Sequence, residues 1–256
     1  MPRRAYLLLA IASPVFILAL WAYVTHAGLI RPVILPSPQR VATAFMEMVQ
    51  RGYSGVPLLE HFWASLYRVG MAFLGGAALG ILFGLIRGRT PWVDAILLVP
   101  SEVIRPIPPI GLIPIFILWF GIGELSKILL IGVTVFLIMM VNTQDGTRAV
   151  SPDILRAAQT CGASRFQIFR FVILPSALPQ IMTGLRISLS MGLSILVAAE
   201  LLGGDKGLGF IVLDAANFFR TSHVFAGVIM IGLLGLFSDR IIAFITRRIV
   251  HWEGRR

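Results

Sequence analysis

A single cysteine, Cys161, is all the thiol chemistry in this chain of 256 residues, and it excludes an internal disulfide. It reads as a small filler at a helix end. The four histidines, His26, His61, His223 and His251, stand far apart, so a zinc site is not expected. Charge is scarce too, with Asp, Glu, Lys and Arg making up 13% of the residues. No catalytic constellation of His, Asp or Ser is evident. No G-x-x-x-x-G-K-[ST] phosphate loop occurs, so the chain is not expected to hydrolyse ATP itself. No internal repeat of useful length is found, which counts against a secondary transporter or channel built from inverted halves.

What is abundant is apolar surface. Hydrophobic residues reach 57%, and the mean hydropathy is +0.87. These values mark an integral membrane protein. The net charge of +10 could suggest a nucleic-acid partner. Basic loops retained in the cytoplasm explain it better, and nucleic acid is not expected.

The expected fold is all-α and polytopic, with about six transmembrane helices forming one membrane domain over 1–256. The spans fall near 6–24, 62–86, 95–120, 128–142, 180–202 and 224–245. The first is taken as a retained span, since no clear small-x-small cleavage site follows it. Leu29 to Glu60 is polar and turn-rich, and Val41 to Arg51 reads as an amphipathic helix. A short helix is expected around Phe210 to Phe219.

In the second span, Gly76, Gly80, Gly84 and Gly88 recur every four residues, with Ala72 just before. Such a smooth stripe admits a second helix closely, in this chain or in another copy. The third span is broken by Arg105-Pro-Ile-Pro-Pro109, whose backbone cannot face lipid. Arg105 there needs a partner, and an ion pair with Glu200 is one solution. Asp239 and Arg240 read as a local pair or as an anchor reaching the interface. The five tryptophans fall near span ends, as an interfacial belt would.

Charge sets the expected orientation. With both termini inside, the inner loops hold Arg3, Arg4, Arg87, Arg89, Arg148, Arg156, Arg165, Arg170, Arg247, Arg248, Arg255 and Arg256. The outer loops hold only Arg31, Arg40, Arg51, Lys127, Lys206 and Arg220.

Between the fourth and fifth spans lies a polar island, Ser151 to Pro175, within an expected cytoplasmic loop 143–179. Ser151, Pro152 and Asp153 suit a helix start, and Gly162 a left-handed stop. Ser164 can cap a second helix running to Val172, limited by Pro175. Phe166, Phe169 and Ile173 share one face of it and need an apolar partner.

The spacing Ala157-Ala158, Gly162, Val172-x-Leu174-Pro175 resembles the EAA loop of ABC importer permeases. Ile104 to Glu124, IRPIPPIGLIPIFILWFGIGE, is very similar to the corresponding segment of taurine, aliphatic-sulfonate and nitrate permeases. Leu35 to Pro38, Ala198 to Gly203 and Gly232 to Arg240 extend that resemblance over nearly the whole chain. Two positions depart from the family pattern: Arg156 stands for the usual Glu and Val172 for the usual Ile.

The resemblance implies a type I ABC importer permease fold in the bacterial inner membrane, with the loop as a coupling helix. It implies two copies of an ABC ATPase subunit holding ATP and Mg, a second copy of the permease, and a periplasmic or lipid-anchored binding protein. No cofactor is then bound by this chain. The docking residues would be Arg156, Ala157, Ala158, Gly162, Ser164, Arg165, Phe166, Phe169 and Pro175. For the translocation path of a small anion the candidates are Arg105, Glu200, Arg68 and Arg186. The alternatives are a transporter or channel driven without ATP, and a membrane scaffold that holds an ATPase without transporting.

Overall fold

The computed structural model describes residues 3–252, and every described element of regular structure is helical. The basic tail expected at Arg255 and Arg256 lies outside them. Five helices are long and apolar enough to span a membrane, and a sixth span results if one bent pair is counted as one. The chain forms two compact units, Met1–Trp63 with Lys206–Ile231, and Ala64–Asp205 with Gly232–Arg256.

The first unit begins with α1, Arg3–His26. Its Leu8, Phe16 and Tyr23 are more than half exposed, as a lipid-facing helix requires. Near its end the Trp21 indole N–H donates to the Pro36 carbonyl at 3.0 Å and stacks with Phe225. α2, Pro38–Arg51, starts at the Ser37 cap and buries Val41, Ala44 and Met48. This is the amphipathic helix expected, begun one turn earlier by Ser-Pro. It stops at Gly52, where φ is +75° and a Cβ would run into the Val56 carbonyl.

α3 spans Leu58–Arg89 and α10 spans Leu208–Asn217. Three hydrogen bonds hold the first unit at this point. The Tyr53 hydroxyl donates to Asp214 Oδ2 at 2.8 Å. Burial, and then that hydrogen bond, push the Tyr53 phenol well above its ordinary value. The fully buried His61 accepts at Nδ1 from the Gly207 N–H, 3.1 Å away. Its Nε2 therefore carries the proton and donates to the Tyr53 carbonyl at 3.2 Å.

In the second unit α4, Pro91–Ile104, meets a 3₁₀ turn, Pro109–Leu112, and α5, Ile113–Phe120. The two arms are bent by 88° across Arg105–Pro108. The prolines thus do more than interrupt a straight span. Three of them remove donors over a single turn, and the chain changes direction there.

α6, Glu124–Arg148, is the central element, with Leu130, Ile131, Val135 and Met139 at most 2% exposed. It runs past the expected limit at Asn142. Thr143, Gln144 and Thr147 read as loop residues but are buried inside the bundle. Lys127, expected in an outer loop, lies in the first turn of α6 and is 5% exposed.

The glycine stripe of α3 finds its partner here, in the same chain. A Cβ on Gly76 would stand 2.5 Å from the Gly132 carbonyl, and one on Gly80 2.5 Å from Met139 Cβ. At Gly84 it would meet the Met140 carbonyl at 2.6 Å, and at Gly88 it would overlap Thr147. The two backbones touch over four turns because no side chain separates them.

After α7, Pro152–Thr160, the helix resumes as α8, Arg165–Ile168, passes a π-helical turn, Phe169–Ile173, and continues as α9, Leu174–Gly203. Pro175 was expected to limit it and does not. Proline lacks an N–H and its ring collides with the carbonyl four residues back, and the wider π turn just before it makes room. The inter-span loop therefore shrinks from 143–179 to 149–164. The last helix, α11, Thr221–Ile249, places Gly235 against Leu193 of α9.

Candidate functional site

Three features of the second unit collect the candidate residues. The first is the segment around α7 and α8. Ser151 Oγ accepts from the Asp153 N–H at 3.3 Å, and α7 follows. It stops at Gly162, where φ is +77° and nothing lies within 4 Å of a Cβ position. Ser164 then opens α8 with a capping box: its Oγ accepts from the Gln167 N–H, and Gln167 Oε1 accepts from the Ser164 N–H at 2.7 Å. The corner is therefore built by the backbone and its caps rather than by packing.

α7 buries none of its residues. Ala157 and Arg165 are exposed, and Ala158 is half-buried. Arg156 pairs with Asp153 of its own helix at 3.1 Å. Ile154 is 53% and Phe166 74% exposed, and Phe171 is exposed as well. The shared inward face expected for Phe166, Phe169 and Ile173 is not formed. Ile168 and Ile173 are the buried positions, Phe169 is half-buried, and Phe166 points outward. The π turn shifts the spacing of the inward face from four residues to five.

The second feature is a cavity of about 370 Å³ between α4, the bent segment, α6 and α9. Its walls are mostly aliphatic, including Ile104, Leu112, Leu137 and Met191. Ser101, Thr134 and Asn142 add polar atoms, and Arg105 is the only charged residue among the described lining residues. Arg105 has no link to Glu200. Its side chain is 63% exposed and lies 3.9 Å from Glu102, one helical turn back.

The third feature is a buried charge cluster joining α3, α6 and α9. Arg68, 2% exposed, donates through Nε and Nη2 to the two oxygens of Glu124 at 2.6 and 2.5 Å. Its Nη1 donates to Glu200 Oε1 at 2.6 Å. Ser65 Oγ donates to the same carboxylate at 2.7 Å. Lys127 Nζ stands 3.9 Å from Glu124. The guanidinium thus takes Glu124 with its two-pronged edge and reaches Glu200, 1% exposed, with its third nitrogen.

Of the path candidates, only Arg105 lines the cavity. Arg68 and Glu200 hold each other, and Arg186 of α9 pairs with Asp239 of α11 at 2.8 Å. Asp239 therefore serves a contact between helices, with Arg186 as its hydrogen-bonded partner. Glu124, Ser65 and Lys127 were not singled out beforehand. The signal for them was indirect: Arg68 lies inside a span and must have a carboxylate partner.

Comparison with known proteins agrees with this architecture. The family described as "binding-protein-dependent transport system inner membrane component" matches residues 76–251. The taurine transport system permease protein TauC of Escherichia coli is 39% identical over 254 residues, covering 99% of this chain and 92% of TauC. The nitrate import permease protein NrtB of Synechocystis sp. is 32% identical over 226 residues, 86% of this chain and 82% of NrtB.

Among solved structures, the inward-facing MetNI methionine ABC transporter aligns with a TM-score of 0.60 at 21% identity. The match covers 76% of this chain and 94% of that one. An amino acid ABC transporter with histidines also gives 0.60, at 17% identity over 81% of this chain and 97% of the other. These two likenesses concern the fold, which is that of type I ABC importer permeases. The chain belongs to the binding-protein-dependent transport system inner membrane components, the permease subunits of ABC importers.

Proposed function

We propose that this permease forms, with a second copy of itself, the path by which a small oxyanion enters the cell. A sulfonate such as taurine, or nitrate, fits the chemistry and the named relatives. The observation that carries the substrate class is the cavity, an apolar chamber whose only charged lining residue among those described is Arg105. A guanidinium at the edge of an apolar chamber attracts an oxyanion and offers it paired N–H donors. Glu200, already held by Arg68, adds no net repulsion.

The same reading assigns the partners. Two ATPase subunits, carrying ATP and Mg, would dock on the exposed segment from Ser151 to Pro175. Ala157 and Ala158 allow close approach, Gly162 makes the corner, and Phe166 and Phe169 supply anchors. Arg156, Ser164 and Arg165 lie on the same segment. A periplasmic or lipid-anchored binding protein would deliver substrate on the other side, and both termini would be cytoplasmic.

Two outcomes test this. Uptake of radiolabelled taurine and nitrate is measured in proteoliposomes holding permease, ATPase and binding protein. Arg105→Gln should lower uptake of whichever anion is carried by about tenfold or more, the scale of one charge-assisted contact. Unchanged uptake would take Arg105 off the route. Gly162→Val should leave the chain in the membrane but uncouple ATP hydrolysis from uptake, since a β-branched residue resists positive φ. Full uptake by that variant would refute the corner as the docking element.

A further inference from the structure

A second set of polar contacts joins the end of α6, just before the α7–α8 segment, to the cavity wall. Asp94 sits in the first turn of α4 and receives three donors from two other helices. Arg87 Nε, near the end of α3, reaches Oδ1 at 2.8 Å. Gln144 Nε2 of α6 reaches the same oxygen at 2.7 Å. Arg148 Nη2, from the last residue of α6, reaches Oδ2 at 2.6 Å. Arg87 is 4% exposed, and its Nη1 also donates to Ser101 Oγ at 2.9 Å. Ser101 lies seven residues along α4 from Asp94 and lines the cavity.

Arg148 stands three residues before Ser151, the cap of α7. Between them, Val150 is buried at 8% exposure and anchors the link. The ends of α3 and α6 are themselves in contact, because Gly88 admits Thr147 against the backbone. A displacement of α7 would thus reach Asp94 over a short tether, and Arg87 would carry it from Asp94 to Ser101. Arg87 is suited to this, since its planar fork holds both acceptors in fixed geometry.

We infer that Asp94, with Arg148 on one side and Arg87 on the other, is a positioning residue that transmits movement of the α7–α8 segment to the α4 wall of the cavity. This rests on the assignment of that segment as the ATPase dock. A plain structural pin would only hold the helix ends together. A relay requires more: cutting the half-exposed Arg148 link must silence the cavity while leaving the fold and the dock intact.

The test uses the permease co-purified with its ATPase in nanodiscs, with Mg-ATP as the probe. Cys161→Ser removes the native thiol, and Ile107→Cys places one on the cavity wall. The alkylation rate by a maleimide is read with and without Mg-ATP. In the parent the rate should change by about threefold or more, the low end of what such networks carry. Arg148→Gln should abolish that change while ATP turnover stays within about twofold, and Arg148→Lys should restore part of it.

An unaltered response in Arg148→Gln overturns the relay and leaves the docking assignment standing. A parent that retains no ATPase and shows no response overturns both. Should Arg148→Gln be poorly recovered, Asp94→Asn keeps the size of the side chain but turns one of its two accepting oxygens into an NH2 donor, so the charge and one of the links are lost together. The same loss of response is then expected, and a full response overturns the relay.

Discussion

Replacement of Arg68 by methionine should all but eliminate folded protein. The change takes the guanidinium from Glu200, 1% exposed, while the Ser65 hydroxyl, a neutral donor at 2.7 Å, stays. Breaking one side of a buried pair costs about 3–5 kcal/mol, because an uncompensated charge is left behind. At 1% exposure the Glu200 carboxylate meets no open solvent that could take the place of the guanidinium. Glu124 would suffer less, since its side chain is 52% exposed. The measurement is the melting temperature in detergent, followed by size-exclusion fluorescence.

A companion variant separates charge from packing. Arg68→Met combined with Glu200→Leu removes both charges and fills similar volume, so it should recover much of the stability lost by the single change. If Arg68→Met alone melts with the parent, the cluster does not hold α3, α6 and α9 together. If the double variant is no better than the single, the loss comes from shape rather than from an unpaired carboxylate.

The second large effect concerns two adjacent glycines with opposite surroundings. A Cβ on Gly76 would stand 2.5 Å from the Gly132 carbonyl and 3.0 Å from Val135 Cβ, whereas nothing lies within 4 Å of one on Gly75. Gly76→Leu should therefore force α3 off α6 along its length, since the obstacle is backbone that cannot step aside. Overpacking of this kind costs about 1–3 kcal/mol or more. Gly75→Leu adds the same atoms and should leave the melting temperature close to that of the parent. Equal behaviour of the two variants would refute the close approach of α3 and α6.

The glycine stripe was legible in the sequence because its period is regular, but its partner was not. Nothing in a stripe of small residues says which helix fills it. The end of α6 was misjudged for a related reason. Thr143, Gln144 and Thr147 look like loop residues until their partners appear, and two of those partners, Asp94 and Gly88, lie fifty residues or more away. Arg105 and Glu200 were each recognised as charges in apolar surroundings. Their pairing could not be inferred, since Glu102 lay one turn from the first, and Arg68 had an equal claim on the second. Ser151, Gly162 and Ser164 were readable because caps act within a few residues of their own position.

The π turn at Phe169–Ile173 has a consequence for the azimuth of everything before it. Inward positions run Ile168, Ile173, Ala177 and Ile181, five residues and then four and four. The extra residue is a phase offset of about 100° between α8 and α9, the rotation one residue makes about a helix axis. Were the turn to tighten to plain α with all its residues kept, α8 would swing around by that angle. Ile168 would leave the bundle, Phe166 would face a different direction, and the orientation of the α7–α8 corner about the axis of α9 would change without any change in its own residues.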